Sequence, residues 1–152
     1  MHDTLKQLDL PRVALRVAFA LVPILAGLDK FTYWLTDWSQ YVAPAARAVL
    51  PVAPETFLYV AGVIEVLVGL AVLTRWTEIA SYVAAAWLTL IAANLVLAGF
   101  FDIAVRDLVM AVAAFTLGRL TAVHDAATAT TAATASTAAT AEPRRVADRR
   151  VA

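Results

Sequence analysis

"AGVIEVLVGLAVLTRW", residues 61–76, decides the fold. The run is apolar over helix length except at Glu65, which has no polar neighbour within two residues. In a bilayer a carboxylate at the middle of a helix costs roughly 2.5–3.5 kcal/mol on insertion scales, so it needs a partner on another helix. Gly62, Glu65 and Gly69 fall on one helical stripe, and glycines let a second helix come close. Glu65 is therefore expected to face the inside of a bundle.

The composition supports a membrane setting. Of 152 residues, 62% are apolar and 16% charged, more hydrocarbon than a soluble domain of this size can hide. The formal net charge is zero, which gives no reason to expect nucleic acid as a partner. The chain has no cysteine, so disulfides, iron–sulfur ligation and thiol chemistry are excluded. His2 and His124 lie outside the apolar runs, which argues against a bis-histidine haem, and no metal site is expected.

Crossing ~30 Å of hydrocarbon takes about 20 helical residues, and four runs reach that length. They cover about 11–35, 55–73, 78–98 and 103–120. Pro11 suits a first helical turn. "TRWT" and "GFFD" join the later runs so tightly that antiparallel hairpins must form, with Gly99 as a stop and Asp102 as an N-cap. A signal peptide competes for the first run, but Asp29 and Lys30 follow it and no A-x-A cleavage pattern does. The expected fold is all-α: a polytopic membrane protein with a four-transmembrane-helix antiparallel bundle over 11–121. A cytoplasmic segment, 1–10, precedes it.

Lys and Arg set the orientation. With both termini cytoplasmic, Lys6, Arg12, Arg16, Arg75, Arg119, Arg144, Arg145, Arg149 and Arg150 lie inside, against Lys30, Arg47 and Arg106 outside. Phe31, Tyr33, Trp34, Trp38 and Tyr41 form an aromatic girdle at the outer boundary. The localisation expected is the plasma (inner) membrane, multi-pass. "APAARAVLP", residues 43–51, reads either as a helical turn or two along that interface or as a plain loop. Residues 122–152 read as a disordered tail, Ala/Thr-rich with alanines that permit fluctuating helix, and with a basic end that either sets topology in solvent or is attracted by an anionic leaflet.

The other helices also carry small or polar seams. Arg16, Ala20, Pro23, Gly27 and Lys30 align on the first, Trp87, Ile91, Asn94 and Ala98 on the third, and Asp107, Ala111, Ala114 and Gly118 on the fourth. At 1.5 Å per residue Glu65 lies about 15 Å below the outer end of its helix, and Lys30 and Asp107 about 6–8 Å below theirs. A long cationic side chain spans most of that difference. The expected buried polar cluster is Asp29, Lys30, Glu65, Arg106 and Asp107, with Asn94 beside it and Arg16 too distant to join. Asp29 is its outlying member, expected to be exposed at the interface. No catalytic residue is identifiable from these spacings, and an ion-pair network that only fixes helix register accounts for the same residues.

"RVALRVAFALVPILAGLDKF" resembles the opening helix of DoxX-type membrane proteins, in which an arginine precedes a G-x-x-K ending, here Gly27 and Lys30. "GVIEVLVGLAVLTRW" resembles their second helix, G-x-x-E-x-x-x-G-L followed by a basic turn, here Gly62, Glu65, Gly69, Leu70 and Arg75. "LGRLTAVHD" echoes the family's glycine–arginine ending. Arg106 and Asp107 have no place in that pattern. The resemblance implies a four-helix membrane bundle and, among diffuse functions, the membrane subunit of a quinone-linked oxidoreductase. Lys30 and Glu65 would then be the site residues. No covalently bound cofactor is expected. Quinone and a soluble or membrane oxidoreductase are the partners implied besides the lipid bilayer. A structural or scaffolding membrane protein and a small proton-coupled transporter are the alternatives; for the transporter no internal repeat is evident. Alanine faces suit lipid and a second copy equally, so a homo-oligomer is compatible with the sequence.

Overall fold

The computed structural model describes residues 2–49 and 51–151, with side-chain surroundings for 7–49 and 51–137. The described residues contain helices and no strand. In chain order these are α1 (His2–Thr32), a 3₁₀ turn (Trp38–Tyr41), α2 (Pro44–Val49), α3 (Pro54–Val72), α4 (Thr77–Ala98) and α5 (Phe101–Val151). Three helical stretches among them are long and apolar enough to cross a membrane: Gln7–Thr32, Pro54–Val72 and Thr77–Ala98. The first part of α5 packs along α4 as the fourth member of the bundle, carrying Asp102, Arg106, Asp107 and Arg119 within it.

The expected ends of α3 and α4 fall within one residue of those observed. Pro54 sits at the start of α3, where its missing N–H costs nothing. Gly99 closes α4 with φ of 86°, the left-handed conformation that glycine adopts without strain, and its N–H bonds back to Leu95 and Val96. Asp102 lies in the first turn of α5 rather than capping it. Residues 44–49 are helical, which settles the choice between helix and loop for that segment.

Both ends of α1 depart from expectation. It stops at Thr32, three residues early, because Tyr33 takes φ of 52° and turns the chain. It begins at His2, nine residues early. The extra turns have a companion: Asp9 lies 3.4 Å from His124 Nε2 on α5, and Arg12 reaches Asp9 at 3.9 Å. Helix α5 in turn does not end near Leu120 but continues to Val151, where the sequence reading has a disordered tail. Alanine is the best helix former. The threonines return their hydroxyls to the carbonyl four residues back, Thr128 to His124 and Thr130 to Ala126 among them. Past its contact with Asp9 through His124, the extension turns to solvent: residues 128–137 are all exposed. The side chains of the basic end lie outside the described residues.

The closest pairings are α1 with α3 and α4 with α5. Their contact surface is built from small residues. Ala20, Ala80, Ala84 and Ala114 surround Phe19, Val72 and Leu117 in one cluster, and Ala92, Leu95 and Ala104 form another. Large apolar side chains point outward instead, including Leu21, Leu25, Leu67, Leu90, Leu97 and Val109. In water this would be an inside-out protein; in lipid, association relies on close packing of small residues. At the end holding the tight α3–α4 turn, Arg16 donates to the carbonyls of Val72, Leu73 and Thr74 at 3.0, 2.7 and 3.0 Å. Thr77 adds its hydroxyl to Val72 and Thr74. The last carbonyls of α3, which no helix can satisfy internally, are met this way.

Candidate functional site

Two glycines bring α1 and α3 together. A Cβ on Gly27 would lie 2.5 Å from the Gly62 carbonyl oxygen, and one on Gly62 would lie 2.6 Å from that of Gly27. Gly69 meets the Ala20 carbonyl in the same way at 2.7 Å. At so short an interaxial distance the side chain one turn from each glycine is forced into the partner helix. Lys30 and Glu65 occupy those positions. Lys30 Nζ lies 2.5 Å from Glu65 Oε2, and the two residues are 5% and 6% exposed. Phe31 and Tyr59, one from each helix, stack at 5.2 Å and remain partly exposed.

Two tryptophans complete the surroundings. Trp87 of α4 points its indole Nε1–H at Glu65 Oε1, 3.4 Å away. The ring of Trp38 covers the ammonium at 3.9 Å from its centroid, a cation–π contact. Lys30 also lies 3.5 Å from the Ala26 carbonyl, a long contact. The pair thus has one short ionic bond and several loose ones. An ammonium has three protons to donate, and here one is strongly engaged. An aromatic face, a cationic donor and a carboxylate thus lie side by side.

The other four expected members do not join the pair. Asp29 is buried, at 5% exposure, rather than exposed at the interface. Its carboxylate turns away from Lys30 into the chain that follows α1. Oδ1 accepts from Thr32 Oγ1 and from the Trp34 and Leu35 backbone N–H groups, and Oδ2 from Trp38 Nε1 at 2.8 Å. Asn94 reaches across to the same segment, donating to the Tyr41 carbonyl at 2.6 Å and accepting from the Ala43 N–H at 3.0 Å. Arg106 and Asp107 pair with each other at 3.1 Å, the aspartate buried and the arginine side chain 65% exposed. Depth along a helix was the basis for grouping them, and depth does not say which way around the axis a side chain points. Asp107 lies on the buried face of α5 with Ala104, Ala111 and Ala114, and Arg106 on its exposed side.

The sequence reading missed Trp38 and Trp87 as partners of the pair. Trp87 had the right signal, an indole donor on the polar seam of its helix. Trp38 had none, because its position depends on the path of an irregular segment. Arg16 was rightly left out and has its own role on α3. Among the described residues no group of His, Cys, Asp or Glu could hold a metal ion.

Outside the spans, Asp37 caps the 3₁₀ turn. Ser39 donates its hydroxyl at 2.6 Å and its backbone N–H at 2.9 Å to Asp37 Oδ1, and these bonds hold that carboxyl below its ordinary value. Arg47 fastens the same turn through the Ser39 and Val42 carbonyls.

The family model of DoxX matches residues 12–98, more than half of the chain. The match takes in Asp29, Lys30, Glu65, Trp87 and Asn94 and stops short of Arg106 and Asp107. No curated protein and no solved structure matches the chain.

Proposed function

The chain belongs to the DoxX family, and on that premise we propose that it is the membrane-embedded, quinone-associated subunit or anchor of an oxidoreductase. The observation that carries the reading is the buried Lys30–Glu65 pair between two tryptophans. A quinone carbonyl takes a hydrogen bond from a cation, and its reduction consumes protons that a carboxyl can pass on. Lys30 is the donor in this proposal and Glu65 the proton carrier. Trp38 supplies the aromatic face against which the ring lies. The chain has no cysteine, so the electrons come from a soluble or membrane partner. The setting proposed is the inner membrane with both termini cytoplasmic, which puts Lys30 and Trp38 near the outer surface.

The test is extraction in mild detergent, followed by lipid analysis for quinone and mass spectrometry of copurifying proteins. The proposal expects quinone at near-stoichiometric amount and a flavin- or metal-containing partner. It expects Glu65→Gln to fold, to retain the partner, and to lose most quinone-linked turnover, because an amide cannot carry the proton. Neither quinone nor a redox partner in the purified material would sink it.

A second reading draws on the reciprocal glycines. Gly27 and Gly62 bring the backbones so close that Lys30 and Glu65 meet in only one register. A pair that does nothing but fix that register makes the protein a scaffold. It predicts that Lys30 and Glu65 can be replaced together by apolar residues with no loss beyond stability.

A further inference from the structure

Two residues expected beside the pair, Asp29 and Asn94, instead grip the segment that runs over it. Asp29 Oδ1 takes the backbone N–H groups of Trp34 and Leu35, and Oδ2 takes the indole of Trp38. Further along the same segment, Asn94 holds the Tyr41 carbonyl and the Ala43 N–H. Between these anchors the 3₁₀ turn places the Trp38 ring on the Lys30 ammonium. Trp38 meets Tyr41 edge-on at 6.2 Å, and Tyr41 meets Phe100 at 5.0 Å, so the aromatic row reaches from α1 to the α4–α5 connection.

We propose that residues 33–43 are a tethered lid over the Lys30–Glu65 pair, with Trp38 as the cover and Asp29 and Asn94 as the residues that position it. The proposal deepens the reading of this pair as the working site and rests on that reading for its purpose. Its consequence is selectivity. A water-soluble anion has to displace Trp38 before it meets the cation, so the closed site favours an uncharged, membrane-soluble acceptor. Asp29 acts through Trp38 and is a positioning residue. Its two oxygens divide the work: three donors converge on Oδ1 and the indole alone uses Oδ2. In Asp29→Asn the oxygen keeps the three donors, and the amide nitrogen is left facing the indole N–H. The helix end is retained and the lid is released.

Lys6 and Lys30 are the only lysines of the sequence, which makes amine labelling a direct readout. The full-length protein in proteoliposomes or detergent is exposed to a water-soluble acylating reagent at fixed alkaline pH, and labelling at each lysine is followed by peptide mass spectrometry. Lys6 serves as the internal reference. In the parent, Lys30 should label far more slowly than Lys6. Asp29→Asn should raise the Lys30 rate roughly tenfold, the scale of losing one hydrogen bond to a charged acceptor. Trp38→Ala should raise it at least as much, and Asn94→Ala should raise it as well. Trp38→Phe leaves the charges unchanged and keeps a ring but loses the tether, and its rate should fall between parent and Trp38→Ala. It also carries the test if Asp29→Asn fails to fold. A parent Lys30 that labels as fast as Lys6 overturns the lid. So do folded Trp38→Ala and Trp38→Phe variants whose Lys30 stays as slow as the parent's. Labelling requires no turnover, so the lid and the quinone reading can fail separately.

Discussion

Glu65→Ala leaves the Lys30 ammonium in a low-dielectric crossing with no counter-charge, a change that typically costs about 3–5 kcal/mol. The melting temperature in detergent should fall accordingly. Glu65→Gln separates the two readings of the pair: a proton carrier predicts normal folding with lost turnover, whereas an ionised partner that only fixes register predicts destabilisation that Lys30→Met largely restores. If Glu65→Ala melts like the parent, the pair is not desolvated as described. Glycines supply a second comparison. Gly62→Ala drives a methyl group against the Gly27 carbonyl at 2.6 Å, where only backbone can yield. A cost of about 1–3 kcal/mol is expected for such overpacking. Gly118→Ala meets the outer atoms of the Tyr82 ring at 2.8 Å, which can swing aside, and should cost less; equal melting temperatures for the two variants would contradict this. At this scale the pair was legible in the sequence because an isolated charge in an apolar run must be matched, and the glycine stripe showed which face matches it. Asn94 is legible in the sequence only as a polar residue on a buried seam, and the burial of Asp29 is not legible at all. Their partners are backbone groups of an irregular segment, and no periodicity records its path.

Helix ends depend on groups that the helix itself cannot satisfy. Arg16 supplies three hydrogen bonds to the last turn of α3 from one planar fork. Lysine keeps the charge but has no such fork. Arg16→Lys should therefore lower stability by about 1–3 kcal/mol, visible as a lower melting temperature. The 3₁₀ turn that carries Trp38 depends on Asp37 in a pH-dependent way. Its carboxyl is held below the ordinary value near 3.8 by the Ser39 donors. A group with a lowered folded-state value contributes above its unfolded value and loses the contribution as pH falls through the folded one. The turn should be unaffected from neutral pH down to about 4 and loosen below that, with Lys30 labelling as the readout in rapid pH-jump measurements. Asp37→Asn retains an acceptor and cannot titrate, so it should lessen that acid response. Ends marked by glycine or proline were readable in advance, as Gly99 and Pro54 illustrate. The start of α1 was not, because Asp9 gains its partner from His124, more than a hundred residues away in the chain. The length of α5 is not legible because alanine-rich sequence lacks large residues to bury yet favours helix, and the two properties point opposite ways.

The molecule as a whole has two unlike ends, one closed by the 33–43 segment and one extended by α5. Placing both termini in the cytoplasm predicts that Ser39→Cys in intact cells reacts with an impermeant thiol reagent from outside and Ser136→Cys does not. The reverse pattern inverts the orientation and moves the lid to the cytoplasmic face. Deleting residues 126–152 should leave the melting temperature of the bundle unchanged, since residues 128–137 are exposed. The crossing of α1 and α3 bears finally on how such a chain can diverge. Most core contacts drift by compensation, one residue growing as its neighbour shrinks. Gly27 and Gly62 each abut the other's carbonyl, and neither can be made smaller. No second substitution rescues the first, so across descendants these two positions should stay fixed together instead of covarying, and pair-based contact inference would be blind to this approach of the two backbones.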